Sequence, residues 1–259
     1  MILRGLLNGL LLLLLPSMAY ASGGFTWVST LAHHYEIHLP EHVLTFILVG
    51  VVLLVLGVLY RAKLNRVENI VIPDDGVTLR NIFESYAEFM MGQCRAVIGE
   101  KLGPKYFNFI ATIFLVILTS NLIGLIPGFL PPTGHLSTTL ALGLFSFIYY
   151  NMKGCKELGV VNYLKHFAGP LWYMAILIFP IEILSNCIRP MSLALRLKGN
   201  MDADHRVLAI FSDLVPVGVP IIFLCLGLLV CVVQAYVFTV LSMVYISLAT
   251  ANHDHDDHH

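Results

Sequence analysis

Charged side chains are scarce in this chain of 259 residues. Lys, Arg, Asp and Glu together make up 12% of it, while hydrophobic residues make up 58%. A soluble domain has about 25% charged residues, so a soluble protein of this size would lack the polar groups to cover its surface. The composition therefore indicates an integral membrane protein.

Other sequence features that are missing argue against several classes of function. The net charge is −1 and no basic, aromatic-interleaved patch occurs, which argues against a nucleic-acid partner. The five cysteines include no Cys-x-x-Cys pair, so neither a disulfide framework nor a thiolate metal site is indicated. No phosphate-binding Gly-x-x-x-x-Gly-Lys-[Ser/Thr] motif is present. We therefore expect no catalytic site on this chain, and neither cofactor nor metal.

The N-terminus has the features of an exported segment. Arg4, an apolar run over 6–15 and Ala19-Tyr20-Ala21 predict a signal peptide over 1–21, with an uncleaved anchor helix as the alternative. Residues 22–42 form a polar segment. Within it His34, His38 and His42 are four residues apart, a spacing that fits either a metal site or a solvated helix face.

Residues 43–60 are 18 uncharged residues, about the length that crosses the hydrocarbon core. Basic residues follow at once (Arg61, Lys63 and Arg66), so this end is expected in the cytoplasm and the N-terminus outside. Polar and apolar residues alternate at helical spacing over 77–100, which predicts an amphipathic helix on the cytoplasmic interface or against a partner.

Two further spans are predicted over 105–126 and 136–152. The last third consists of two longer apolar stretches, 169–200 and 203–251, each longer than the ~20 residues of one span. They fit either a hairpin of two tilted helices or two pairs of short spans. A polar tail, 252–259, follows in the cytoplasm. The fold class predicted is an all-α multi-pass membrane protein with one membrane domain, 43–251.

One helix of this last third has a polar stripe. Glu182, Ser185, Arg189, Ser192 and Arg196 recur at spacings of 3, 4, 3 and 4, which puts them within about 80° of one helix face. A charge in a bilayer costs at least ~2.5–3.5 kcal/mol unless it lines water or meets an opposite charge. Because Arg keeps its proton, Arg196 can act only as a fixed positive charge.

Simpler interpretations stay open at this point. Arg189 and Lys198 fit side chains that reach to a headgroup boundary, and so does Arg196 if it lies near an interface. Ser185 and Ser192 could hydrogen-bond the backbone of their own helix. The amides of Gln234 and Asn121 could serve as helix–helix contacts.

The motifs "SLALRLKGN" (192–200) and "SNLIGLIPG" (120–128), with Gln234, resemble subunit a of F-type ATP synthases. "STTLALGL" and "QAYVFTVLSMVYISLA" occur in the same order as in that family. The resemblance covers nearly everything after residue 30. It implies a chain in the cell inner membrane beside a ring of c subunits, linked through the b subunits of a peripheral stalk to the F1 sector. It also implies that the two long stretches form a tilted hairpin.

The resemblance implies the following roles. Two offset half-channels lead protons to and from the ring, and proton flow drives rotation and ATP synthesis. Arg196 separates the half-channels. The cytoplasmic half-channel takes Glu182, Ser192 and Asn200, and the outer one takes Asn121, His205 and Gln234.

Three positions depart from the family pattern. Lys198 stands where Phe is usual, and we expect it to point to a headgroup or another subunit. His205 stands where several relatives have Glu, and Gly227 where some have His or Glu. We therefore expect His205 to be the one titratable group of the outer half-channel, with activity sensitive to outside pH near ~6.5.

Three alternatives remain. The ion could be Na⁺, since that choice lies mainly in the c subunit. A secondary transporter of an anionic substrate usually shows internal repeats with paired broken helices, and none is visible here. A structural stator subunit without ion transport leaves the polar stripe unexplained.

Overall fold

The computed structural model describes residues 26–34, 36, 39–64, 78–126, 128–159, 175–214 and 219–250. Within these residues it contains seven α-helices, one 3₁₀ turn and no strand, which confirms the all-α fold class. The helices are α1 Trp27–His34, α2 Glu41–Leu64, α3 Leu79–Ile98, α4 Gly103–Ile123, α5 Leu136–Leu158, α6 Ala175–Leu214 and α7 Val219–Thr250, with the 3₁₀ turn at Pro132–Gly134 between α4 and α5.

Four of the described helices are long and apolar enough to cross a membrane. They comprise Glu41–Leu64, Gly103–Ile123, Ile178–Leu208 and Ile221–Thr250, which confirms a multi-pass membrane protein. Helix α5 is not in this group, because its C-terminal part includes Lys153, Lys156 and Glu157. The span over 136–152 stays a prediction.

The two long stretches are single helices. Helix α6 has 40 residues and continues through Pro180 and Pro190, and α7 has 32. Two pairs of short spans are therefore ruled out. The turn predicted near residues 200–203 was wrong, because α6 continues to Leu214. Asn200, Asp202 and Asp204 remain in the helix.

Several predicted features lie outside the described residues. These are the signal peptide over 1–21, residues 22–25, 35, 37 and 38 of the polar segment (which include His38), and the tail 252–259. His42 is described. Its ring stacks on His135 with centroids 4.4 Å apart, and its Nε2 lies 3.2 Å from Ser137 Oγ.

The chain divides into two compact units. The first comprises the described residues up to Ala62, then Phe114–Thr138 and Arg196–Tyr236. The second comprises Lys63–Ile113, Thr139–Leu195 and the described residues from Val237. The division falls inside α6, between Leu195 and Arg196.

In the first unit, α6 and α7 run antiparallel. Near their turn the ring of Phe211 stacks on Phe223 with centroids 4.6 Å apart, and further along Asn200 contacts Gln234. Leu197 and Met201 of α6 are buried. Since these two residues are four apart, one side of α6 faces the core of the unit.

The segment between α4 and α5 closes against α1. Gly128 has φ +82°, a conformation that favours glycine. Its carbonyl accepts a hydrogen bond from the backbone N–H of Trp27 at 3.0 Å, and a Cβ at this position would lie 2.5 Å from Trp27 Cδ1. Glycine in "SNLIGLIPG" is therefore required by this close approach.

In the second unit, α3 packs through Met90, Cys94 and Ile98, which are buried and four residues apart. The Tyr86 hydroxyl donates to the Ala111 carbonyl of α4 at 2.7 Å. Burial raises the pKa of the Cys94 thiol to about 11, so this thiol stays protonated at neutral pH.

The polar face expected for the 77–100 helix needs a correction. Arg80, expected on that face, is only 1% exposed. Its Nε lies 2.6 Å from Glu84 Oε1 one turn later, and this ion pair makes burial of the guanidinium tolerable. Ile82 and Phe89 are exposed instead.

Helix α5 contacts both long helices within the second unit. A Cβ at Gly143 would lie 2.7 Å from the backbone oxygen of Pro190 in α6. Ser146 Oγ donates to Ser242 Oγ of α7 at 3.1 Å. The absence of a side chain at Gly143 therefore allows α5 to approach α6 closely.

We expect Gly143→Val to destabilise the protein, because overpacking at a close contact costs about 1–3 kcal/mol. Gly57→Val in α2 is the matched control, since a Cβ there meets nothing within 4 Å. Thermal inactivation of the detergent-solubilised protein measures the difference. Equal melting temperatures for the two variants would contradict the close α5–α6 contact.

Candidate functional site

Arg196 lies on the exposed side of α6. Ser192 and Leu195 beside it are also exposed, with Leu195 at 54%. Among the described residues Arg196 forms no ion pair, although it lies within the apolar stretch Ile178–Leu208. The sequence analysis singled out this position, and its role stays a prediction.

A polar cluster lies inside the first unit, and we call it the amide cluster (Asn121, Asn200 and Gln234). Asn200 Nδ2 donates to Gln234 Oε1 at 2.6 Å, which ties α6 to α7. Asn121 accepts a hydrogen bond from Thr133 Oγ1 at 2.8 Å and donates to the Cys231 carbonyl at 3.4 Å. Asn121 and Gln234 are 1% and 5% exposed, so these bonds satisfy amides that are cut off from water.

This arrangement brings together residues that the sequence analysis assigned to different half-channels. Asn200 was assigned to the cytoplasmic half-channel with Glu182 and Ser192. In the structure it bonds Gln234, which was assigned to the outer half-channel. Glu182 and Ser192 belong to the second unit.

Two cavities adjoin the amide cluster. A small one of about 10 Å³, roughly the space of one water, touches all three amides. A larger cleft of about 370 Å³ lies between α6 and α7 and is lined by Asn200, Gln234 and several apolar side chains. Asp204 lines both cavities. Polar groups of this unit thus reach an open cleft between two apolar helices.

Asp204 was missed by the sequence analysis. It lies four residues after Asn200, which itself lies four after Arg196, so a continued four-residue spacing was the available signal. Its Oδ2 is 2.5 Å from where a Cβ at Gly227 would lie. His205, the expected titratable group, is not among the residues lining either cavity.

A second polar group lies in the second unit, on α5, α6 and α7. The Tyr150 hydroxyl donates to Asn186 Oδ1 at 2.7 Å, and Asn186 Nδ2 donates to Asn151 Oδ1 at 3.1 Å. Glu182 of the stripe lies 3.8 Å from the guanidinium of Arg189.

Two cations of α6 have partners in the chain. The Arg189 guanidinium, besides pairing with Glu182, lies 5.1 Å from the ring centroid of Tyr245. Lys198 pairs with Asp202 one turn later. That ion pair neutralises the extra charge that distinguishes this chain from the family pattern. Among the described residues no group of three or more His, Cys, Asp or Glu could hold a metal ion.

These features define a class: an all-α, multi-pass membrane protein whose long apolar helix α6 carries arginines without an ion-pair partner among the described residues and lines a polar cleft. Comparison with known sequences identifies the family within this class. Residues 43–247 match the ATP synthase A chain family. The chain therefore belongs to the ATP synthase A chain family, a membrane subunit of that complex.

Individual proteins of similar sequence carry the same family name. ATP synthase subunit a of Bdellovibrio bacteriovorus is 47% identical over 234 residues, covering 89% of this chain and 99% of that protein. Subunit a of Sorangium cellulosum is 40% identical over 223 residues, covering 86% and 87%. That of Geobacter sulfurreducens is 45% identical over 166 residues, covering 63% and 72%. The family predicted from the sequence motifs is confirmed.

We expect Thr133→Val to lower stability, since it leaves the buried Asn121 oxygen without its donor, a loss of about 1–3 kcal/mol. Thr119→Val on α4 is the control, because Thr119 is half-buried and its hydroxyl forms no hydrogen bond in the described part of the chain. Thermal inactivation of the solubilised complex compares them. An unchanged melting temperature for Thr133→Val would contradict the Thr133–Asn121 bond.

Proposed function

We propose that this chain is the proton-translocating subunit a of the Fo sector, which couples proton flow across the membrane to rotation of a c-ring and to ATP synthesis. The observation that supports this most directly is Arg196, a permanent cation on the exposed side of an apolar helix with no anionic partner in the described residues.

The energetics of that cation favour a partner outside the chain. An unpaired arginine facing lipid costs at least ~2.5–3.5 kcal/mol. Arg189 and Lys198, on the same helix, are neutralised by Glu182 and Asp202. Arg206, nearer the C-terminal end of α6, also has no ion-pair partner among the described residues. In the proposed mechanism Arg196 meets a carboxylate that arrives from another subunit, which is what each c subunit supplies.

The exposed surface around Arg196 supports a protein partner of apolar character. In the first unit, which contains Arg196, large aliphatic side chains of α7 are 43–59% exposed in the isolated chain, namely Leu226, Leu228, Leu229, Val232 and Val233. A c-ring would cover part of this surface, and lipid the rest.

In the proposed pathway, a proton enters from outside past Asn121, Gln234 and His205 and neutralises a ring carboxylate. The neutral acid can turn through lipid, whereas the charged form cannot. After nearly a full turn it releases the proton near Glu182 and Ser192, and the carboxylate passes Arg196. The fixed charge of Arg196 repels cations and so keeps the entry and exit paths separate.

The proposal also covers the location and partners of the chain. The chain lies in the cell inner membrane with its N-terminus outside and its C-terminus in the cytoplasm, and the b subunits connect it to F1. Each charge that crosses 100 mV supplies about 2.3 kcal/mol, so several protons drive each ATP. Na⁺ is the alternative ion.

The test is ATP-driven proton pumping by inverted membrane vesicles in Na⁺-free buffer, with a pH-sensitive dye. We expect Arg196→Ala to abolish pumping and to raise passive proton leak, because the positive barrier between the two paths is lost. Arg206→Ala is the matched control, since Arg206 is an exposed arginine of the same helix. Blotting for subunits a and c verifies assembly.

Normal pumping by assembled Arg196→Ala would mean that Arg196 is only an anchor and that the proposed function is wrong. Wild-type vesicles that take up radioactive Na⁺ with ATP but do not pump protons when Na⁺ is present would identify Na⁺ as the transported ion.

A further inference from the structure

We propose that Asp204 is a proton-carrying group of the cleft between α6 and α7, and that it occupies the space left by the missing side chain of Gly227. This inference rests on the proposed function, to which it adds a residue.

The geometry places the carboxylate where ions could reach it. Asp204 lines both the 370 Å³ cleft and the small cavity at the amide cluster. It is half-buried, so it remains partly accessible to water. It therefore lines the same cleft as the bonded pair Asn200–Gln234.

Its contacts do not assign it a structural role. In the described part of the chain Asp204 accepts no side-chain hydrogen bond and forms no ion pair, unlike its neighbour Asp202, which pairs with Lys198. The titratable groups near it are Asp202 and His205 on its own helix and Cys231 on α7. The nearby side chains of α4 and of the segment that follows it are Asn121 and Leu125, which carry no charge.

The carboxylate of Asp204 lies where a side chain on Gly227 would begin. A Cβ at position 227 would lie 2.5 Å from Asp204 Oδ2 and 3.1 Å from Leu125 Cδ2. The carboxylate would have to turn aside to admit a side chain at 227. An acid moved from 204 to 227 would thus occupy nearly the same place in the cleft.

The proposed step is a proton relay. Asp204 as a carboxylate takes one proton from water in the cleft and becomes a neutral acid. It then gives one proton to the next acceptor, water or the ring carboxylate, and regains its negative charge. No other bond changes, and each cycle moves one proton. His205 provides a second titratable group beside it.

The experiment uses the whole ATP synthase in inverted vesicles, with subunits a and c followed by blotting. Asp204→Asn keeps the size of the side chain and removes its ability to carry a proton. Loss of a positioned proton-transfer group costs about 10²–10⁴-fold, and with His205 still present we expect pumping to fall at least about tenfold. Asp202→Asn is the matched control, expected to pump within about twofold of wild type because Asp202 lies outside both cavities.

An exchange variant separates proton transfer from packing. Asp204→Gly with Gly227→Asp moves the carboxylate to α7, and we expect it to restore most of the pumping that Asp204→Gly loses. Passive proton conduction of F1-stripped vesicles, measured against outside pH, should lose one titration step in Asp204→Asn and regain it in the exchange. A residue needed only for packing would leave that profile unchanged.

Normal pumping by Asp204→Asn with Arg196→Ala inactive would overturn this inference and leave the proposed function intact. Normal pumping by both Asp204→Asn and Arg196→Ala would overturn the proposed function itself. If Asp204→Asn fails to assemble, the exchange variant decides: an assembled but inactive exchange contradicts the proposal.

Discussion

The structure depends on how a few charges are accommodated in apolar helices. A guanidinium cannot lose its proton, so burial or lipid exposure must be compensated by an opposite charge. Arg80, Arg189 and Lys198 find that charge within this chain, at Glu84, Glu182 and Asp202. Arg196 and Arg206 do not find it among the described residues. Under the proposed function, Arg196 meets its opposite charge on another subunit of the complex.

The uncharged polar groups of the amide cluster find their hydrogen-bond partners inside the chain. Asn121, Asn200 and Gln234 are satisfied by one another, by Thr133 or by a backbone carbonyl. Since unpaired amides are costly away from water, these bonds join α4, α6 and α7 within the first unit. The cleft can then stay polar at the amide cluster without weakening the helix pair.

Glycine positions show how space is divided in each unit. Gly143 lets α5 approach the backbone of α6 at Pro190. Gly227 leaves room that Asp204 occupies. In both cases a missing side chain on one helix admits an oxygen of its neighbour. From the sequence alone, Gly227 is only a position that lacks a titratable side chain.

The sequence by itself determined the membrane class, the long helices, the family and Arg196 as the unusual cation. Lipid forces each spanning segment to satisfy its backbone internally, so these features are local and readable from composition and spacing. Only the tertiary structure decided that Asn200 joins Gln234, 34 residues away, that Asn121 reaches Cys231, 110 residues away, and that Asp204 lies in the cleft. Such pairs depend on the rotation and offset of neighbouring helices. The periodicity of one helix does not contain that information.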